Sequence, residues 1–156
     1  MKLTVRGEYA LRALVALGRD YSKDNDTVMP IQIIARDEKI PRRFLEQILN
    51  DLKSAKIVQS KRGLSGGYRL SKSPDQITLA QVVRHIEGPL APISCVSENF
   101  YQKCSCPDEA KCPIRSVMKE VRDAVSKIAE QVTIADLCER ATQLNQEAVS
   151  PMDFSI

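Results

Sequence analysis

The chain has no tryptophan, a single histidine, and aromatic residues at only 4% of its 156 positions. With His85 alone, no Ser/His/Asp or Cys/His nucleophile can be assembled, and no glycine-rich nucleotide-binding loop is present, so the chain reads as a non-enzyme. No apolar run reaches the roughly 18 residues a membrane-spanning helix needs, and Arg12 and Arg19 interrupt the first helical stretch. Glu8 and Arg12 likewise break what would be the apolar stretch of a secretion signal, so the expectation is a cytoplasmic protein with no membrane partner. There are no internal repeats or low-complexity segments, and 43% hydrophobic residues beside 28% charged ones exclude a wholly disordered chain. Cysteine is absent before residue 95.

What is present is unevenly placed. The net charge of +3 divides into +6 over residues 1–90 and −3 over residues 91–156. The basic excess lies between Arg36 and Lys72, where 10 basic residues face 4 acidic ones. A basic stretch confined to one part of a folded chain favours a polyanionic partner.

The periodicity is mainly helical. Residues 3–18 predict a helix with Leu3, Ala10, Leu11, Leu14 and Leu17 near one face, followed by a polar loop over 19–29. Pro30 opens a second helix carrying Ile31, Ile34 and Ala35, and a turn at Glu38–Ile40 leads to a third, Arg42 to about Lys56. Its apolar stripe is Phe44, Leu45, Ile48, Leu49 and Leu52. Residues 57–62 and 68–71 read as short strands around Gly63-Leu-Ser-Gly-Gly67, whose glycines supply the positive-φ positions of a tight hairpin. Three helices followed by a basic, glycine-tipped hairpin are the order of a winged helix-turn-helix. Thr78 and Gln81 form a capping box for a further helix that stops at Gly88.

Residues 89–113 hold four prolines and no period, and are read as loop. From Ile114 the period returns through Val117, Met118, Val121, Val125 and Ile128, predicting a long helix. Thr133 and Asp136 cap a short final helix containing Cys138. The expected fold is therefore mainly α with a small β-wing. A winged helix-turn-helix domain spans 1–88, a cysteine-bearing loop 89–113, a dimerisation helix and short helix 114–145, and a flexible tail 146–156.

The helix from Arg42 is the candidate reading element, because a helix fits the major groove and meets base edges with its first turns. Arg42, Arg43, Glu46, Gln47, Asn50 and Lys53 occupy its polar face, and the first four are the outward groups of its first turn and a half. Lys61 and Arg62 on the hairpin suit the minor groove, and Ser65, Gly66 and Gly67 offer backbone N–H groups to phosphate. A domain of this size makes few base contacts, so the continuous apolar stripe from Ile114 is read as building a homodimer on a pseudo-palindromic site in double-stranded DNA.

Cys95, Cys104, Cys106 and Cys112 have the spacing C-x8-C-x-C-x5-C. Structural zinc sites commonly use paired C-x2-C knuckles, and none occurs here. Unevenly spaced loop thiolates suit an iron–sulfur cluster better, with zinc and metal-free redox thiols as the alternatives. Cys138 reads as a small packed residue rather than a ligand.

Met1-Lys-Leu-Thr, Gly7-Glu-Tyr-Ala-Leu, Phe44-Leu-Glu-Gln-Ile-Leu, Arg62-Gly with Gly66-Gly-Tyr68, and the cysteine loop ending in Cys112-Pro together resemble the Rrf-type bacterial transcription regulators over about residues 1–140. That family includes an iron–sulfur-cluster regulator, a nitric oxide sensor and a cysteine-metabolism repressor. The resemblance implies a homodimeric winged-helix regulator with Glu46, Gln47 and Arg62 near DNA. It also implies three cluster cysteines, Cys95, Cys106 and Cys112. Some members place a histidine three residues after the last cysteine as fourth ligand, where this chain has Arg115. Others use an acidic residue of the partner's first helix, at the position of Glu8. The fourth ligand is thus Cys104 or Glu8 of the partner subunit.

The expected function is a repressor whose iron–sulfur cluster, taken as 2Fe–2S, reports iron–sulfur, redox or nitric oxide status. The alternative is a cluster-free regulator using a thiol switch, a metabolite or a partner protein.

Overall fold

The structure, a computed structural model, describes residues 2–21 and 27–149. Helix α1, Val5–Arg19, starts where Thr4 adopts extended backbone and its side chain accepts from the Gly7 N–H. It buries Ala10, Ala13, Leu14 and Leu17, but Leu3, expected on that face, is exposed because it precedes the helix. Helices α2, Ile31–Asp37, and α3, Arg42–Ser54, both begin after a proline. Between them the chain reverses through Lys39, at φ 51°, while the Ile40 N–H returns 3.0 Å to the Ala35 carbonyl. Leu45, Ile48, Leu49 and Leu52 of α3 are completely buried. Full burial of one such side chain contributes about 1.5–3 kcal/mol. Phe44, expected in the same stripe, is exposed: it lies 100° around the helix from Leu45, outside the narrow arc that meets α1 and α2.

Strands β1, Val58–Lys61, and β2, Gly67–Leu70, pair antiparallel with Val58 opposite Leu70 and Lys61 opposite Gly67. A third rung was not visible in the sequence. Met29 and Tyr68 exchange backbone hydrogen bonds of 2.8 and 2.9 Å, anchoring the hairpin to the segment before α2. Gly67 allows this approach, since a Cβ there would run into the Met29 carbonyl.

Helix α4, Leu79–Glu87, carries the expected capping box of Thr78 and Gln81 and ends at Gly88. The loop that follows contains two single 3₁₀ turns, Ser94–Val96 and Glu109–Lys111. Helix α5, Pro113–Gln131, then runs 19 residues.

The last helix departs from expectation. Rather than being short, α6 spans Ile134–Val149 and enters the stretch assigned to a flexible tail; residues 150–156 of that stretch lie outside the described residues. It returns onto α1, with Ile134 completely buried in the head. Leu79 N–H donates to the Val132 carbonyl at 2.8 Å and Ile134 N–H to the Ile77 carbonyl at 2.9 Å. The chain is thus mostly helical with a two-stranded wing. Among the described residues, no helix is long and apolar enough to cross a membrane.

Candidate nucleic-acid interface and cysteine cavity

At 3.6 residues per turn, burial of Leu45, Ile48, Leu49 and Leu52 turns Arg43, Gln47, Asn50 and Ser54 directly outward. These four are exposed. Arg42 and Glu46 lie on one flank and engage each other, with Arg42 Nε donating to Glu46 Oε1 at 3.1 Å. Asn50, placed on the polar face from sequence but not among the base-reading candidates, sits on the Arg43–Gln47 line three residues after Gln47. Asparagine can pair bidentately with adenine.

A groove of about 390 Å³ separates α3 from the wing and is lined by Gln32, Asn50, Lys53, Lys61 and Arg62, among others. Lys53, Lys61 and Arg62 are exposed, which gives the groove a positive rim. Gly63 has φ 110°, and Leu64 at the wing tip is fully exposed. The amide role expected of Gly66 is corrected: its N–H closes the turn, donating to the Gly63 carbonyl at 3.0 Å, and so faces the hairpin rather than solvent. Ser65 is exposed beside it.

The far end of α3 is fixed by long-range bonds. Arg6 pairs with the Asp51 side chain, and His85 Nε2 donates to the Asp51 carbonyl at 2.9 Å. The lone histidine thus ties α4 to α3. Glu87, at the end of α4, accepts from the Thr4 N–H at 2.8 Å and hydroxyl at 2.7 Å. Gly7 makes room for that carboxylate, which explains the glycine in the Gly7-Glu-Tyr segment.

The cysteine loop gathers four thiols around one cavity of about 330 Å³, lined by Cys95, Cys104, Cys106 and Cys112 with Ile114 and Arg115. Cys95 is buried and the other three are half-buried. Cys106 and Cys112 Sγ atoms lie 3.7 Å apart. Cys112 is the N-cap of α5, its sulfur accepting the Arg115 N–H at 3.4 Å, and that amide holds its thiol below the usual range. The Cys104 and Cys112 thiols push Cys106 up to about 12, and burial followed by Cys104 raises Cys95.

Glu109 was missed from sequence. It accepts from the Tyr101 hydroxyl at 2.7 and 2.9 Å, from the Cys104 N–H at 3.3 Å and from the Cys104 thiol at 3.4 Å. The Tyr101 bond, then the Cys104 amide, hold its carboxyl below the usual range. Two arginines of α5 hold the other side of the loop: Arg115 Nε donates to the Cys95 carbonyl at 3.2 Å and Arg122 Nη1 to the Val96 carbonyl at 2.7 Å. Among the described residues, no three His, Cys, Asp or Glu side chains converge as a ready single-ion site.

The sequence model of the Rrf2 family, described as an iron-dependent transcriptional regulator, matches residues 3–140. The chain belongs to the Rrf2 family. An rrf2-like HTH-type transcriptional regulator of Rhodobacter capsulatus is 41% identical over 136 residues, covering 86% of this chain and 91% of that protein. The HTH-type transcriptional regulator CymR of Bacillus subtilis is 30% identical over 137 residues, covering 88% and 89%. A solved structure of CymR, the global cysteine regulator of that organism, superposes with a TM-score of 0.74 at 28% identity, covering 90% of this chain and 98% of that one.

Rrf2 membership makes this chain a DNA-binding transcription regulator with a winged-helix head, and not an enzyme. Arg115, three residues after Cys112, serves the loop with both its guanidinium and its amide. Glu8 is exposed on α1 and pairs with Arg12 at 3.5 Å. Cys138 packs between α6 and α1, its thiol donating to the Val15 carbonyl at 3.5 Å, away from the other four.

Proposed function

We propose that this Rrf2 protein is a homodimeric repressor of the cytoplasm whose cysteine loop holds an iron–sulfur cluster in the 2Fe–2S form. Cys95, Cys106 and Cys112 would hold it, with Cys104 or Glu8 of the partner subunit as fourth ligand. One observation carries the reading: four thiols of a single loop line one cavity at the root of α5. Soft thiolates are the ligands iron–sulfur clusters use, and a cluster spans a cavity, so its ligands need not converge on one point as they would for a single ion. When bound, such a cluster supplies iron that reacts with oxidants and nitric oxide.

The protein's own residues transmit the state of the loop. Arg115 and Arg122 tether its backbone to α5, and Arg84 links α4 to α5 through Glu130 at 2.7 Å. Glu87 and His85 then join α4 to the start of α1 and the end of α3. A change in the loop therefore reaches the reading helix through rigid elements.

Ile114, Val117, Val121 and Ile128 are exposed along α5 at spacings of three, four and seven, with Ala124 on the same line. This a/d seam suits a second copy of α5 and a two-fold dimer, whose two α3 helices would meet half-sites about 34 Å apart. Arg43, Gln47 and Asn50 would read bases, with Arg42 and Glu46 beside them, while Lys61 and Arg62 meet the backbone or minor groove and Ser65 lies close to phosphate.

The test is anaerobic purification followed by iron and acid-labile sulfide analysis. The expected protein is coloured, and Cys106→Ala or Cys112→Ala removes the visible absorption. A colourless anaerobic protein that binds its operator equally with and without iron overturns the cluster.

A further inference from the structure

We infer that Cys106 and Cys112 form a reversible disulfide when the metal-free protein meets a peroxide. Their sulfurs are already 3.7 Å apart, and a bond of about 2.05 Å needs only a modest rotation of two side chains. Both thiols line the cavity of about 330 Å³, so a small oxidant reaches them. The five residues between them contain the 3₁₀ turn Glu109–Lys111, which folds the segment back on itself and sustains the approach.

Cys104 neighbours both Cys106 and Cys95 in the same cavity, but its own groups are engaged. Cys104 gives both its N–H and its thiol to Glu109, Cys95 is buried, and Cys138 bonds the Val15 carbonyl between α6 and α1. The 3.7 Å contact therefore favours Cys106 with Cys112, and Cys104 is the competing partner that the variants below separate.

The chemistry balances with hydrogen peroxide as the oxidant. One sulfur attacks the peroxide, the O–O bond breaks, and a sulfenic acid forms as the first water leaves. The second sulfur displaces the sulfenic oxygen, forming the S–S bond, and the departing hydroxide takes the remaining thiol proton as a second water. Two electrons pass from the two thiols to the peroxide, and a dithiol reductant reverses the change. In this state two candidate cluster ligands are withdrawn and the loop is stapled to the first turn of α5.

The inference rests on thiol geometry and not on the iron–sulfur reading, so the two fail separately. The full-length, metal-free protein is treated with one equivalent of hydrogen peroxide, and thiols are counted after denaturation. The expected count falls from five per chain to three. Trypsin then yields a reducible pair joining residues 104–111 to residues 112–115. Cys104→Ser keeps that pair and Cys106→Ser abolishes it, with circular dichroism checking that both variants are folded. A count that stays at five, a link between two chains, or a pair that survives Cys106→Ser overturns the proposal. Iron and sulfide content, measured on separately prepared anaerobic protein, reports on the cluster alone.

Discussion

The DNA-reading head and the cysteine-bearing arm are held together by opposite means. The head closes around Leu14, Ile34, Leu45, Ile48, Leu49 and Ile77, all fully buried, and α6 adds Ile134 from the far end of the chain. Helix α5 has 19 residues yet buries only Ala129, and leaves four large aliphatic side chains exposed. The loop before it is held by arginines on backbone carbonyls and by Glu109, contacts with polar groups near solvent. A hydrophobic core is stable without outside help, whereas an arm built this way gains order from whatever covers its seam or fills its cavity. The cysteine-bearing arm is thus the half whose free energy a ligand or partner can change.

The largest expected effect tests that contrast directly. Leu49→Ala in the head should cost about 2–5 kcal/mol in urea unfolding, by lost burial and a residual cavity. Val121→Ala on the exposed seam should change monomer stability by less than about 0.5 kcal/mol at low protein concentration. Equal losses at the two positions would sink the comparison.

Next comes Val121→Glu, which puts a charge into the proposed seam. The head should keep its circular dichroism while sedimentation shows dissociation, and operator affinity should fall on the order of 10²-fold as the two half-sites uncouple. A variant that stays dimeric removes α5 from the interface.

Gly67→Ala should destabilise the head by about 1–3 kcal/mol, because the new Cβ meets the Met29 carbonyl, a backbone atom that cannot swing aside. Gly7→Ala should cost less, since the atom it meets is the end of the Glu87 side chain.

These glycines also mark the limit of what the sequence makes legible. Local patterns placed α3, the wing and the Thr78–Gln81 capping box, because period, turn residues and caps act between neighbours. The reach of α6, the Met29–Tyr68 rung and the Glu87–Thr4 bond join residues far apart, and no short-range pattern specifies such a partner. Phe44 misled for a related reason: its hydrophobicity suggested burial, while its angle on the helix forbade it. In the site, the cysteine spacing was legible and its support was not. Glu109 and Arg122 look like ordinary surface charges until the loop folds over them.

Two smaller effects sharpen the division of labour on the DNA face. Arg62→Ala should lower the slope of log affinity against log salt by about one, weakening all sequences alike. Asn50→Ala should leave that slope unchanged and relax preference at one base pair per half-site by about 1–3 kcal/mol. If both variants act only through the slope, Asn50 is not a reader.

The smallest effect lies where head and arm join. Asp136 accepts the Thr133 N–H and hydroxyl, each at 2.7 Å, while its own N–H donates to the Thr133 hydroxyl at 3.2 Å. The Thr133 amide, and after it the hydroxyl, hold the Asp136 carboxyl below the usual carboxylate range. A carboxyl lowered in the folded state binds fewer protons there than in the unfolded chain. Its stabilising contribution is therefore fully present above the unfolded-state value and is lost as the pH falls through the folded one. Asp136→Asn should lower the melting temperature slightly at pH 7, and the gap to the native protein should close as the solution is acidified below the carboxylate range. A gap that persists unchanged in acid would mean that the charge of Asp136 contributes nothing, and that α6 is held to the head by the burial of Ile134 and its neighbours alone.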